Sequence, residues 1–239
     1  MVAAVRDAFR AMKAAYEEIG IMQRRICCRN IVVIPRERGM LVDWDCARDD
    51  NPGMHRAEER QGTWQFMSAR QLAATDPPVT HTLQDDMESF LHVLNWVSLR
   101  FLPSEGSPRR LKHILDVVFE TRYARAGKAV GGNFKEMFLV AQGIHYFDFG
   151  NPPLTSLLTD LAGLLAVRYQ IAPSAQDIQE YNEERATLTP EMVAKWEKFN
   201  ITGIYLQKRN RLRDATWMLD RLDEALVDLL EWPTDDKHR

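Results

Sequence analysis

Apolar residues at the start of the chain recur at alternating intervals of three and four positions. This spacing predicts an amphipathic helix that ends at Gly20. A strand of a coiled coil is the alternative, but the pattern covers fewer than three heptads, which favours a helix within a domain. The residues of the apolar face are Val2, Val5, Phe9, Met12, Tyr16 and Ile19.

Two short runs rich in β-branched and apolar residues follow this helix. They cover residues 31–34 and 39–42, and Pro35 and Gly39 lie at the two ends of the intervening turn. This arrangement predicts a β-hairpin. Residues 46–59 are polar and rich in turn formers, which predicts a long surface loop of the kind that often carries function.

Most of the remaining chain has helical periodicity. Residues 83–101 have almost no polar face, so we expect this helix at the centre of the domain. Residues 103–108 form a linker, and further helices are indicated around 111–119, 134–140 and 154–169. The predicted fold class is therefore mainly α with one small β-hairpin.

From about residue 172 the chain becomes a polar helical tail with one apolar stripe. Ser174 and Asp177 have the spacing of a capping box, and Thr189-Pro190 marks another helix start. We expect a domain at 1–171 and a helical C-terminal extension at 172–239. The stripe of the last helix comprises Leu212, Ala215, Leu219, Leu222, Leu226 and Leu229, with Trp217 and Trp232 nearby.

Composition excludes several classes of protein. The 31 Lys and Arg residues against 34 Asp and Glu give a net charge of −3, which argues against a nucleic-acid partner. Cys27, Cys28 and Cys46 form no C-x-x-C motif, so neither a disulfide framework nor a zinc site is indicated. Acidic residues interrupt any signal-peptide pattern, and no apolar stretch is long enough for a membrane span. We expect a cytoplasmic or nuclear protein.

The candidate chemistry lies at the two ends of the predicted hairpin. Asn30 comes just before its first strand, and Asp43 comes directly after its second. An amide and a carboxylate held there can bring two oxygen atoms to one cation, so these residues are candidate magnesium ligands.

Four motifs in this region resemble those of the fungal-type protein kinase family, in the order and spacing of a kinase lower lobe. Q-R-R-I-C-C-R-N-I at residues 23–31 corresponds to the family's catalytic loop, H-R-D-I-S-x-x-N-I. L-V-D-W-D-C-A at 41–47 corresponds to L-I-D-[FW]-D-x-A, and R-Q-G-T-W-Q-F-M-S at 60–68 corresponds to R-T-G-T-x-x-F-M-[AS]. The fourth motif, at residues 85–96, is D-D-M-E-S-F-L-H-V-L-N-W. The resemblance covers roughly residues 2–170.

The resemblance implies a kinase-like C-lobe that phosphorylates Ser or Thr, with ATP and magnesium as cofactors. Asn30 and Asp43 take the positions of the catalytic and magnesium-binding residues. Gly62 and Thr63 take positions in the activation segment. Asp86 takes the position of the aspartate that braces the backbone of the catalytic loop.

Two departures from the family pattern affect the expected activity. Arg25 stands where the catalytic aspartate should accept the substrate proton, and a protonated guanidinium has no lone pair for that role. Only about 20 residues precede the catalytic loop, so we expect the N-lobe, with its Gly-rich loop and phosphate-binding lysine, to be missing. Alternatively Met1 is not the true start of the protein, but Arg25 would remain.

We therefore expect a truncated, catalytically degenerate kinase domain, or pseudokinase. Residual nucleotide binding should depend on magnesium, with a dissociation constant no better than ~1 mM. The alternative is a helical protein-interaction module with a vestigial kinase site. In either case we expect a protein partner or self-association through the exposed C-lobe surface or the tail helix. We expect that helix to pack on its own lobe or on a second copy.

Overall fold

The structure of the protein is a computed structural model that describes residues 1–35, 38–49, 62–73, 79–104 and 106–227. Helices dominate this part of the chain, as the periodicity predicted. A π-helical turn, Leu115–Glu120, follows the helix Pro108–Ile114, and a 3₁₀ turn, Ala166–Arg168, follows the helix Pro152–Leu165. A further 3₁₀ turn is formed by Gly143–Tyr146. The α-helices are α1 (Val2–Ile19), α2 (Ala69–Leu72), α3 (Leu83–Phe101), α4 (Pro108–Ile114), α5 (Asn133–Val140), α6 (Pro152–Leu165), α7 (Ala175–Thr187), α8 (Pro190–Trp196), α9 (Ile201–Arg211) and α10 (Thr216–Val227).

Within the described residues, the strands form three antiparallel pairs and not the single hairpin that the sequence predicted. The predicted hairpin is the pair of strands Ile31–Ile34 and Arg38–Leu41, in which Ile31 pairs with Leu41. In the predicted 46–59 loop, the strand Arg48–Asp49 instead pairs with Ile21–Met22, and residues 50–59 lie outside the described part. The strands are β1 (Ile21–Met22), β2 (Ile31–Ile34), β3 (Arg38–Leu41), β4 (Arg48–Asp49), β5 (Tyr123–Arg125) and β6 (Lys128–Val130).

Local chemistry fixes several helix ends at the expected positions. Gly20 ends α1 with a φ of 68°, a left-handed conformation that glycine adopts without steric cost. The Asp177 carboxylate accepts hydrogen bonds from the backbone N–H and the hydroxyl of Ser174, both at 2.7 Å, at the start of α7. Pro190 begins α8, and the Thr189 hydroxyl accepts the N–H of Met192. These predictions are confirmed.

Helix α3 lies at the centre of the apolar core, as expected. Phe90, Leu91 and Leu94 on this helix are fully buried. Phe9 of α1 meets Phe90 edge to face, with ring centroids 5.1 Å apart, a favoured geometry for aromatic pairs. Helix α6 joins the same cluster of buried side chains. Among the described residues, no helix has both the length and the hydropathy that crossing a membrane requires.

The tail helix packs on its own domain, which confirms that expectation. Helix α10 contacts α1 and α6, with Met218 and Leu222 fully buried. Asp223 accepts hydrogen bonds from Arg6 at 2.6 Å and from Arg10 at 3.0 Å.

The predicted continuous stripe from Leu212 to Leu229 was wrong in its first part. Helix α9 ends at Arg211, and a carboxylate oxygen of Asp214 accepts the N–H of Thr216, which begins a new helix. Leu229 and Trp232 lie outside the described residues. The division of the chain at residue 171 stays a prediction.

Candidate functional site

The loop of residues 23–30 connects β1 to β2 and is attached to the central helix by Asp86. This carboxylate is fully buried, and it accepts the backbone N–H of Gln23 at 2.9 Å and that of Arg24 at 3.0 Å. The ring nitrogen Nε2 of His81 lies 2.9 Å from the same carboxylate. Asp86 therefore holds the backbone of the loop in place.

Gln23 ties this loop to the end of β3. Its amide Nε2 donates to the carbonyl oxygen of Asp43 at 2.8 Å. Its Oε1 accepts the backbone N–H of Arg25 at 2.7 Å. Gln23 is fully buried, so both bonds are shielded from water. Asp43 itself has a φ of 59°, in the left-handed region, and these contacts keep it in that conformation.

Three of the predicted site residues lie close together at the open end of the β2–β3 hairpin. The guanidinium Nη1 of Arg25 lies 3.0 Å from Oδ2 of Asp43. The amide Nδ2 of Asn30 donates to the carbonyl of Arg25 at 3.0 Å and lies 3.4 Å from the same Asp43 oxygen. The Arg25 and Asp43 side chains are 38% and 30% exposed, so solvent reaches this ion pair.

The surroundings of Asp43 differ from those of a metal ligand. Its Oδ2 already accepts hydrogen bonds from a guanidinium and an amide. Magnesium prefers a near-octahedral shell of oxygen atoms and would have to displace the Arg25 cation from this oxygen. In the described parts of the chain, no group of three or more His, Cys, Asp or Glu residues is placed to hold a metal ion.

Gly62 and Thr63 lie beside Arg25, at the start of the segment of residues 62–68. Gly62 has a φ of 137°, which side-chain-bearing residues rarely adopt. The carbonyl of Thr63 accepts the N–H of Phe66 at 2.9 Å, which forms a tight turn. Both residues line a cavity together with Arg25, whereas Asp86 does not belong to its lining.

Sequence reasoning missed the lysine that anchors this segment. Lys135 on α5 is 1% exposed, and its ammonium group donates to the carbonyls of Trp64 at 2.8 Å and Met67 at 2.7 Å. Burial lowers the pKa of Lys135 to about 7, although the charges of Glu88 and Glu120 act to raise it. A lysine among apolar helix residues was the only signal in the sequence, and it is a weak one.

A buried ionic cluster joins the end of the same segment to α3 and to the turn after α6. Arg168 pairs with Asp85 at 2.5 Å and also with Glu88. Asp85 accepts the hydroxyl of Ser68 at 2.7 Å, and Glu88 accepts the N–H of Ala69 at 2.7 Å. The cluster therefore fixes the backbone of the segment at residues 68–69.

The pKa of each carboxylate in this cluster is lowered from its ordinary value. Burial acts to raise the pKa of Asp85, but the charges of Arg168, His81 and Arg70 hold it far below the usual range. Burial acts in the same way on the pKa of Glu88, and Arg168 and His92 lower it. In the sequence, the signal for this cluster was a group of three acidic residues at the start of an otherwise apolar helix. An analysis of hydropathy alone does not detect such a group.

The comparison with known families agrees with the motifs. The molecule is a mainly helical protein with small antiparallel sheets, whose polar site lies between a β-hairpin and a buried helix. Residues 1–98 match the family described as fungal protein kinase. All four motifs lie within these residues, and the resemblance inferred from them is confirmed. The match ends within α3, so its continuation to residue 170 stays a prediction. No curated protein matches the chain.

Proposed function

We propose that the chain is a kinase-like C-lobe that has lost phosphotransfer activity. The observation that carries this proposal is the contact of 3.0 Å between Arg25 and Asp43. In a protein kinase, one aspartate accepts the proton of the substrate hydroxyl, and another binds magnesium. Arg25 stands at the first position and neutralises the second. A group that stays protonated cannot serve as a base.

The cofactors that the family implies are ATP and magnesium, and the residues around Asp43 do not fit the metal. The Arg25 guanidinium supplies positive charge where magnesium would bring it, and it donates to one of the two carboxylate oxygens that the metal could use. The bracing of residues 23–24 by Asp86 supports a kinase-like lower lobe, because that contact shapes the loop even where the chemistry is lost.

The purified chain should transfer no phosphate from radiolabelled ATP to a generic basic protein substrate. The missing base and the neutralised carboxylate remove both the proton acceptor and the metal that positions the phosphates. The Asp43→Ala variant is the matched control, and its incorporation should equal that of the wild-type chain. Incorporation by the wild-type chain that disappears in Asp43→Ala would refute the proposal.

A second candidate function is a protein-interaction module, and the surface of the β2–β3 hairpin favours it. Val32, Ile34 and Met40 are 37%, 37% and 48% exposed, and Val33 is 65% exposed. Helix α10 packs on α1 and α6, so the predicted apolar stripe of the tail is directed at those helices. Exposed apolar patches of this kind mark interaction sites or aggregation liabilities.

For the interaction-module function, we test self-association through the β2–β3 hairpin. Val32 pairs with Met40 across the two strands, so a Val32→Lys, Met40→Lys variant should place two charges in the contact and shift a dimer to monomer in sedimentation velocity. Met192→Lys, at a methionine that is 53% exposed on α8, should leave the distribution unchanged. A wild-type chain that sediments as a monomer at the highest soluble concentration would exclude self-association.

A further inference from the structure

Three arginines surround a cavity that neither candidate function uses. The cavity has a volume of about 500 Å³ and lies beside the 62–68 segment. Its size is within the range of small-molecule sites in proteins. Its lining includes Arg25, Arg29, Arg122, Gly62, Thr63 and Trp64.

The charge of this cavity is strongly positive. None of the described residues that line it is acidic. Asp43 offsets the charge of Arg25 alone. Within the described part of the chain, Arg29 and Arg122 have no carboxylate partner. Each is also solvent-exposed and can reach a ligand that enters from solution. An anion would therefore meet at least two guanidinium groups whose charges are not balanced by a neighbouring carboxylate.

The cavity is also partly pre-organised. The Arg122 guanidinium carbon lies 4.8 Å from the centroid of the Trp64 ring, which restricts its orientation. The ammonium group of Lys135 donates a hydrogen bond to the backbone carbonyl of Trp64 and holds it in place. Arg25 is held by Asp43 through one Nη atom, and the other N–H groups of its guanidinium lack a hydrogen-bond partner among the described residues. Groups that are ordered before binding lose less conformational entropy on binding.

We propose that this cavity binds a phosphate monoester, with Arg25, Arg29 and Arg122 as its ligands. The planar fork of a guanidinium matches the oxygens of a phosphate and donates two parallel hydrogen bonds. A phosphate dianion offers three terminal oxygens and two charges to the three arginines, whereas a carboxylate offers two oxygens and one charge. The phosphate can be carried by a phosphorylated side chain of a peptide or by a nucleotide. This proposal does not depend on whether the chain lacks phosphotransfer activity.

Isothermal titration calorimetry in the presence of EDTA, with three probes, tests the site. They are a phosphoserine peptide, the same peptide with unmodified serine, and AMP. We expect the phosphopeptide to bind without a metal, the unmodified peptide to bind at least about tenfold more weakly, and added salt to reduce the affinity. AMP binding as tight as that of the phosphopeptide would assign the site to the phosphate alone. A preference for the phosphopeptide would assign peptides as the source.

Two variants distinguish binding at this site from a general effect of the protein's net charge. Arg29→Gln and Arg122→Gln should each weaken phosphopeptide binding about tenfold or more, because each removes charge-assisted hydrogen bonds. Arg109→Gln changes the net charge equally at an exposed position on α4, outside the cavity lining, and should bind as the wild type does. Equal losses in all three variants would overturn the proposal. So would unchanged binding by Arg29→Gln and Arg122→Gln, or equal binding of both peptides.

Discussion

Replacing Arg168 by methionine should lower the free energy of unfolding by about 3–5 kcal/mol, the usual cost of removing one partner from a buried ion pair. Arg168 contacts both Asp85 and Glu88, whose side chains have no exposed surface, and its own side chain is 6% exposed. After the change, Glu88 keeps its contacts with Tyr169, at 2.7 Å, and with the His92 ring, at 3.3 Å, but loses the guanidinium. A buried carboxylate that has lost its cation is costly because little water can solvate it.

Urea unfolding followed by circular dichroism measures this effect, and Arg185→Met is the matched control. Arg185 also forms an ion pair, with Glu197 at 2.7 Å, but it is 51% exposed, so this substitution should destabilise the protein far less. Arg168→Lys keeps the charge without the bidentate fork and should fall between Arg168→Met and the wild type. If Arg168→Met and Arg185→Met prove equally stable, the buried cluster does not hold the fold together.

The parts of the fold that the sequence predicted well depend on local periodicity. Helix α1 has an apolar face and ends at Gly20, and α3 begins and ends where its apolar run does. The β5–β6 hairpin gave no such signal, because five of its six strand residues are exposed. Its turn is formed by Ala126 and Gly127, both with positive φ, whereas typical hairpin turns have asparagine or aspartate at the first position.

The polar contacts of the site were less accessible to sequence reasoning because their partners are distant along the chain. The motif comparison identified Arg25 and Asp43 as site positions and predicted the loss of the base. It could not show that the guanidinium of one reaches the carboxylate of the other, since that depends on the φ of 59° at Asp43. Arg168 lies 80 residues from Glu88, and no periodic pattern connects two such positions.

The stability of the protein should increase with pH above neutrality because of Lys135. Burial lowers the pKa of Lys135 to about 7, against 10.5 for an exposed lysine. Between these two values the unfolded chain holds a proton that the folded protein has released, so unfolding takes up a proton and becomes less favourable as the pH rises. The charged or titratable groups that act on this lysine are Glu88, Glu120 and His92.

Comparison with a Lys135→Met variant isolates this contribution, because the other titrating groups are present in both proteins. The free energy of unfolding of the wild type, relative to the variant, should increase by about 2–3 kcal/mol between about pH 6 and about pH 9. Lys128→Met, at an exposed position on β6, should differ from the wild type by the same amount at both pH values. Urea midpoints at the two pH values provide the measurement. A constant difference between the wild type and Lys135→Met would mean that the ammonium group stays protonated throughout. In that case Lys135 would hold the carbonyls of Trp64 and Met67 as a permanent cation.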